Sequence, residues 1–245
     1  MSSDLSATAA TGVLYLIGTP IGNLGDISQR AIECLRAVDI VACEDTRHSG
    51  RLLHAHDIEA RKVSLHQHNE ASRGAQLIEN LLAGESVGVI SDAGMPLVSD
   101  PGARFLHRCR EAGIRYEVIP GPSAVLAALV GSGLPSDRFF FGGFLPTKKG
   151  QRRRELEASL ATDWSSIYFE SPHRIMGTLE MLHEIEPDRL VCVARELTKK
   201  FEEFRRGTVV EVLDHYRERT VKGEISLVIA GKVLPKWMRG KEATI

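Results

Sequence analysis

Hydrophobic and polar positions alternate along the chain in two periods. Short unbroken apolar runs mark strands buried on both faces, and stripes at helical spacing mark the helices that cover them. In the first half the runs "VLYLIGT" (13–19), "DIVACED" (39–45), "KVSLH" (62–66), "SVGVISDAG" (86–94) and "RYEVIPG" (115–121) predict five strands. Between them, "ISQRAIECLRAV" (27–38) puts Ile27, Ala31, Leu35 and Val38 on one helical face. "RHSGRLLHAHD", "EASRGAQLIENLLAG" (70–84) and "ARFLHRCREAG" (103–113) predict three more helices, the last two closed by Gly84 and Gly113. This rhythm predicts a parallel sheet with helices on both faces.

"GSGLPSD" (131–137) interrupts the rhythm, which then restarts. Strands are expected over 138–146, 165–171, 189–198 and 223–232, with helices at "QRRRELEASLAT", "HRIMGTLEMLHEI" (173–185) and "TVVEVLDHYRER". The expectation is an α/β chain of two domains, 12–130 and 131–245, meeting near 121–135, with 1–11 as a frayed tail. No internal repeat is visible.

Composition changes this picture in one respect. Net charge is near zero overall, but residues 1–133 carry 11 Lys+Arg against 15 Asp+Glu, and residues 134–245 carry 20 against 17. The basic side chains of the second half are clustered. Cys34, Cys43, Cys109 and Cys192 lie far apart, which reads as reduced thiols. No apolar run has the length of a signal or a membrane span. The expected protein is soluble and cytoplasmic.

Three loops at the carboxyl ends of strands, where open α/β sheets bind ligands, are unusually rich in Gly and Pro. They are "GTPIGNLGD" after the first strand, "SDAGMPLVSDPG" (91–102) after the fourth and "PGPSA" (120–124) after the fifth. The first fits neither nucleotide loop. A P-loop needs Lys then Ser or Thr after its last glycine, and the dinucleotide fingerprint needs closer glycines. Glycine lets main chain approach a ligand, and proline holds it there. Each loop alone reads equally as a turn. Asp92 is a hydrogen-bond acceptor for a ribose or an amine, or else a helix cap. Ser123 is positioned to cap "AVLAALV".

The motifs "GTPIGNLGD", "VACEDTR", "SDAGMPLVSDPG", "PGPSA", "FESPHR", "RELTKKFEE" and "KGE" together resemble the tetrapyrrole methylase superfamily over about residues 12–232. Within it they are most similar to the branch that 2′-O-methylates a cytidine ribose of 16S ribosomal RNA. The resemblance implies a fold of two α/β domains, the first sheet mostly parallel and the second mixed. It implies S-adenosylmethionine folded into a cleft between the domains, and a homodimer. Carried across by position, Gly18, Thr19 and Pro20 line the mouth of that cleft. Ser91, Asp92 and Met95 meet the donor's ribose and methionine parts, and Ser123 and Ala124 belong to the third loop. Tyr168, Phe169, Ala194, Arg195, Ser226 and Leu227 would complete the pocket from the second domain.

Methyl transfer from a sulfonium is an in-line displacement, so alignment carries much of the rate and a base assists the poorly nucleophilic hydroxyl. Asp45 is the candidate base and Arg47 the candidate phosphate ligand; the competing reading is a surface ion pair between them. His66 and His68 share a strand face without a third metal ligand, so RNA contact or a polar loop is expected and no metal. His173 and Arg174 bind substrate phosphate or cap a helix. Lys148, Lys149, Arg152, Arg153, Arg154, Lys199 and Lys200, with Arg205 and Arg206, form basic clusters that read as solvated faces or as RNA contacts. With aromatic residues at 6%, no stacking platform for single strands is visible, so the shape of a 30S subunit is the expected substrate. Two rivals remain: a methylase of a tetrapyrrole or other small molecule, and a non-catalytic nucleotide- or RNA-binding module.

Overall fold

The structure, a computed structural model, describes residues 11–238, so the expected tail over 1–11 lies almost wholly outside the described residues. The chain divides into two compact units, Met1–Pro122 and Ser123–Ile245.

The first unit is built on five parallel strands: β1 (Leu14–Ile17), β2 (Ile40–Cys43), β3 (Arg61–Ser64), β4 (Val87–Ile90) and β5 (Tyr116–Ile119). Their order is β3-β2-β4-β1-β5. Every residue of β2 and β4 is buried, which is why both sequences are apolar without alternation. Helices α1 (Gln29–Ala37) and α2 (Thr46–Ala55) cover one face, where Ala31, Leu35 and Leu53 meet Ile17, Val41 and Ile90. Helices α3 (Glu70–Leu82) and α4 (Ala103–Glu111) cover the other, where Leu77, Leu81, Phe105 and Cys109 meet Leu16, Ile40 and Val89. Ser28 caps α1 through the Ala31 N–H at 3.1 Å. Gly84 and Gly113, both at positive φ, follow α3 and α4 as expected of helix-terminating glycines.

The second unit has a mixed sheet, ordered β6-β7-β10-β8-β9. Its strands are β6 (Phe139–Phe144), β7 (Ser165–Glu170), β8 (Leu190–Arg195), β9 (Glu203–Thr208) and β10 (Ile225–Ile229). β6 and β7 run parallel, and the remaining neighbours are antiparallel. Helices α6 (Lys149–Leu160), α7 (Ile175–Ile185) and α8 (Val209–Arg217) cover the face that carries Tyr168, Val191, Val193, Ile225 and Leu227. Helix α5 (Ala124–Ser132) packs against this sheet too, chiefly along β10 and β8. For that reason the units divide at Pro122/Ser123, several residues before the 130/131 boundary that the sequence breaks suggested. Strand β9 was not anticipated. Its residues "EFRRGT" are all half-buried, as on a sheet edge, and edge strands need no apolar alternation.

The "ESPHR" motif explains itself here. Glu170, its side chain fully buried at the end of β7, accepts from the Ser171 N–H at 2.7 Å and the Thr178 hydroxyl at 2.8 Å. The Arg174 guanidinium closes the pair at 2.5 Å and donates onward to the Leu145 carbonyl at 3.1 Å. Removing one member of such a pair leaves an uncompensated buried charge. Glu170→Ala is expected to lower unfolding free energy by roughly 3 kcal/mol, measured by chemical denaturation of the full chain.

Among the described residues no helix is long and apolar enough to cross a membrane.

Candidate functional site

The loops leaving β1 and β4 are joined main chain to main chain. Thr19 donates its N–H to Gly94 O at 2.9 Å, and Gly94 returns the bond to Thr19 O at 3.1 Å. The buried Thr19 hydroxyl adds bonds to Ser91 O at 3.1 Å and Gly94 O at 3.3 Å. Gly18 lies hard against the third loop. A Cβ there would fall 2.7 Å from the Gly121 Cα and N and 2.8 Å from the Met95 sulfur. Only glycine at both positions permits this approach. Gly18, Thr19 and Pro20 are therefore buried, with main chain as their principal chemistry.

The loop after β4 is strained. Leu97 (φ 70) and Ser99 (φ 64) hold left-handed conformations that non-glycine residues seldom adopt, between Gly94 (φ 87) and Gly102 (φ 112). Such strain gathers at functional sites. At its start, Asp92 Oδ1 is buried and has no hydrogen-bond partner. An acceptor in that state needs a donor that the protein does not supply. Asp92 caps no helix: α4 begins at Ala103, behind Gly102. Further along, Asp100 lines a cavity of about 10 Å³ with Cys43, Glu44, Ser91, Pro96 and Pro101. Burial, with smaller contributions from the negative charges of Glu44 and Asp92, pushes the Asp100 carboxyl up to about 6, against a Ser91 hydrogen bond that lowers it.

Asp45 is the N-cap of α2, accepting from the Arg47 N–H at 2.8 Å. The Arg47 guanidinium also approaches it at 3.3 Å. These bonds, the backbone one foremost, hold its carboxyl below the ordinary carboxylate value. The two residues are thus a cap and an exposed ion pair, with Arg47 projecting into solvent. The His66 and His68 rings lie 6.0 Å apart, and among the described residues no three His, Cys, Asp or Glu side chains are grouped to hold a metal.

In the second unit Ser123 caps α5 through the Leu126 N–H at 3.4 Å, and Ala124 opens that helix. Tyr168 and Leu227 lie in the core on the helix-covered face, with the Tyr168 hydroxyl on Glu155 at 3.2 Å. Both were expected to complete the donor pocket; strand alternation aims their side chains into this core. Phe169, half-buried, stacks edgewise on Phe141 and Phe144. Ala194 and Ser226 are buried, and Arg195 is paired with Glu203 at 3.0 Å.

The basic residues divide in the same way. Arg153 binds Glu157 at 3.0 Å and Glu184 at 2.7 Å, Lys199 binds Glu196 at 3.0 Å and Glu224 at 2.8 Å, and Arg174 serves Glu170. Arg152 is half-buried, while Lys148, Lys149, Arg154 and Lys200 are exposed, Lys200 over the Phe201 ring. His173 is exposed, its N–H on the Ser171 hydroxyl.

These loops belong to a known pattern. The model of the tetrapyrrole (corrin/porphyrin) methylases matches residues 13–213. The chain belongs to the tetrapyrrole methylase family. A protein of Mesorhizobium japonicum named ribosomal RNA small subunit methyltransferase I is 50% identical over 93% of this chain and 78% of its own length. A protein of the same name from Escherichia coli O157:H7 is 45% identical over 94% of this chain and 82% of its own. Among solved structures, uroporphyrin-III-C-methyltransferase of Thermus thermophilus superposes with a TM-score of 0.63 at 24% identity, covering 92% of this chain and all of that one. Cobalt precorrin-4 methyltransferase gives 0.67 at 16% identity, over 89% and 94%. These two share the α/β fold of this chain.

Gly18→Ala forces main chain apart at a contact that no side-chain rotation relieves. It is expected to lower unfolding free energy by about 1–3 kcal/mol, read from denaturant midpoints at unchanged slope.

Proposed function

We propose that this chain transfers a methyl group from S-adenosylmethionine to the 2′-hydroxyl of a cytidine ribose in the decoding region of 16S ribosomal RNA. The relatives at 43–50% identity that carry the name ribosomal RNA small subunit methyltransferase I support the reaction class and the RNA substrate. The observation that carries the reading is the orphaned Asp92 carboxylate oxygen beside the glycine-lined loops. The donor molecule presents ribose hydroxyls and an ammonium group, each able to satisfy such an acceptor, and the residues therefore fit it.

In this reading Asp92 binds a donor hydroxyl or ammonium, and the main chain of Gly18, Thr19, Pro20, Ser91 and Met95 shapes the surface around it. When bound, the donor supplies an electrophilic methyl on a sulfonium. Alignment by rigid main chain is worth roughly 7–11 kcal/mol of barrier when reacting atoms are held close. The exposed Lys148, Lys149 and Arg154 supply phosphate contacts, which dominate affinity for RNA. The reading includes a homodimer acting in the cytoplasm on the 30S subunit.

The deciding experiment incubates the chain with methyl-labelled donor and 30S subunits lacking the modification. Label in an alkali-resistant 16S dinucleotide is expected; label only in small tetrapyrroles overturns the reading. Asp92→Asn is expected to weaken donor binding by about tenfold or more in calorimetry, as a charged hydrogen bond is lost. Charge reversal at Lys148, Lys149 and Arg154 is expected to weaken RNA binding and flatten its dependence on salt by up to about three contacts. Donor affinity should stay constant in that variant.

A further inference from the structure

β2 and β4 are neighbours in the first sheet, yet the chain leaves them toward opposite faces, to α2 on one side and on to α4 on the other. Diverging connections leave a gap at the carboxyl edge, where open α/β sheets take ligands. On the β1 side of β4 the Thr19–Gly94 pairing closes the edge. On the β2 side it stays open as a cavity of about 10 Å³, room for about one water. Two carboxylates line it, Asp100 and Glu44, the latter with Cys43 from the end of β2, together with Ser91 from the end of β4. The left-handed Leu97 and Ser99, and Gly102, where a Cβ would strike Leu97 at 2.6 Å, fold the loop so that Asp100 turns toward this gap.

We propose that Asp100 is the proton acceptor for the hydroxyl that is methylated. This rests on the methyltransferase reading of the same site. The hydroxyl O–H bond breaks and its proton passes to an Asp100 carboxylate oxygen. The freed electron pair forms the O–CH₃ bond, and the pair of the C–S bond stays on sulfur, leaving a neutral thioether. Solvent later removes the proton from Asp100.

Two comparisons favour Asp100 over Asp45. Asp45 is committed to the Arg47 N–H and guanidinium and is held a weak base, whereas the charged groups bearing on Asp100 are Glu44 and Asp92, both negative. The Ser91 hydroxyl is its polar contact, and its affinity for a proton, half-point about 6, lies near the pH at which an effective general base works. It is ionised at neutral pH and still binds a proton when one is offered.

The test begins on the free chain. Carbon NMR of labelled aspartates is expected to show a carboxyl titrating near 6 that vanishes in Asp100→Asn; titration of Asp100 near 3.8 overturns the proposal. A second reading uses stability. Because folding raises this group's proton affinity, its stabilisation is present below about 3.8 and is lost as pH rises through about 6. Asp100→Asn should therefore resist denaturant at least as well as the natural chain at pH 8, and a lower midpoint there overturns the reading. In single-turnover methylation with saturating donor and 30S subunits, the natural rate should rise with pH through about 6 and level off. Asp100→Asn should cut the plateau by about 10²-fold or more and erase the rise, with donor affinity within twofold. Asp100→Glu should keep part of the rate. An unchanged rate, or equal loss of donor binding, overturns the proposal. Absence of donor binding in the natural chain would instead overturn the methyltransferase reading, while the NMR titration would still report on Asp100.

Discussion

The first unit depends on one short meeting of main chain with main chain. Thr19 and Gly94 exchange both their hydrogen bonds across the ends of β1 and β4, and Gly18 and Gly121 touch with no side chain between them. Side chains are excluded there by distance. What remains at that edge is a rigid surface of peptide groups, with its glycines spent on packing. The loop after β4 is consequently pinned at its first turn, and its strain is confined to the stretch from Gly94 to Gly102. Asp92 just precedes that stretch and Asp100 lies within it, one with an unanswered acceptor and one with a reluctant charge.

The second unit uses charge differently. Glu170 is buried outright and is answered by a guanidinium, a hydroxyl and a peptide N–H, so the most conspicuous polar motif of the half-chain is a structural clasp. Arg153, Arg195 and Lys199 likewise carry carboxylate partners. Fewer of this half's basic side chains therefore stand without a carboxylate partner than the sequence count suggests, and exposed ones cluster around the start of α6 at Lys148, Lys149 and Arg154.

The sheets and most helices were legible because their residues bury completely: β2, β4 and β10 have no exposed position, and an unbroken apolar run has no other stable place. Strand β9 was illegible for the complementary reason, since an edge position half-buries whatever side chain it carries. The units divide at the early end of the 121–135 stretch in which the sequence has them meet, because α5, an apolar helix, does not declare which sheet it joins. At the candidate site, glycine and proline spacing pointed to the loops that the structure joins main chain to main chain. It could not show that Asp45 caps a helix while Asp100 is buried beside a cavity, because capping and burial are properties of the surroundings. Asp100 stood in plain view within "VSDPG", with no sign in its neighbours that a water-sized hollow lay beside it.

The mixed sheet ends at β6 on one side and β9 on the other, and each margin is spoiled for further growth. β9 places Arg205 and Arg206 on its rim, the latter's guanidinium gripping the Gly131 carbonyl. β6 breaks its ladder between Phe141 and Phe144, where Gly143 turns left-handed (φ 68). A strand from another molecule would find repulsion at one margin and mismatched spacing at the other. A sheet with apolar phenylalanines at its border is thereby kept from polymerising, without a single proline in either outer strand.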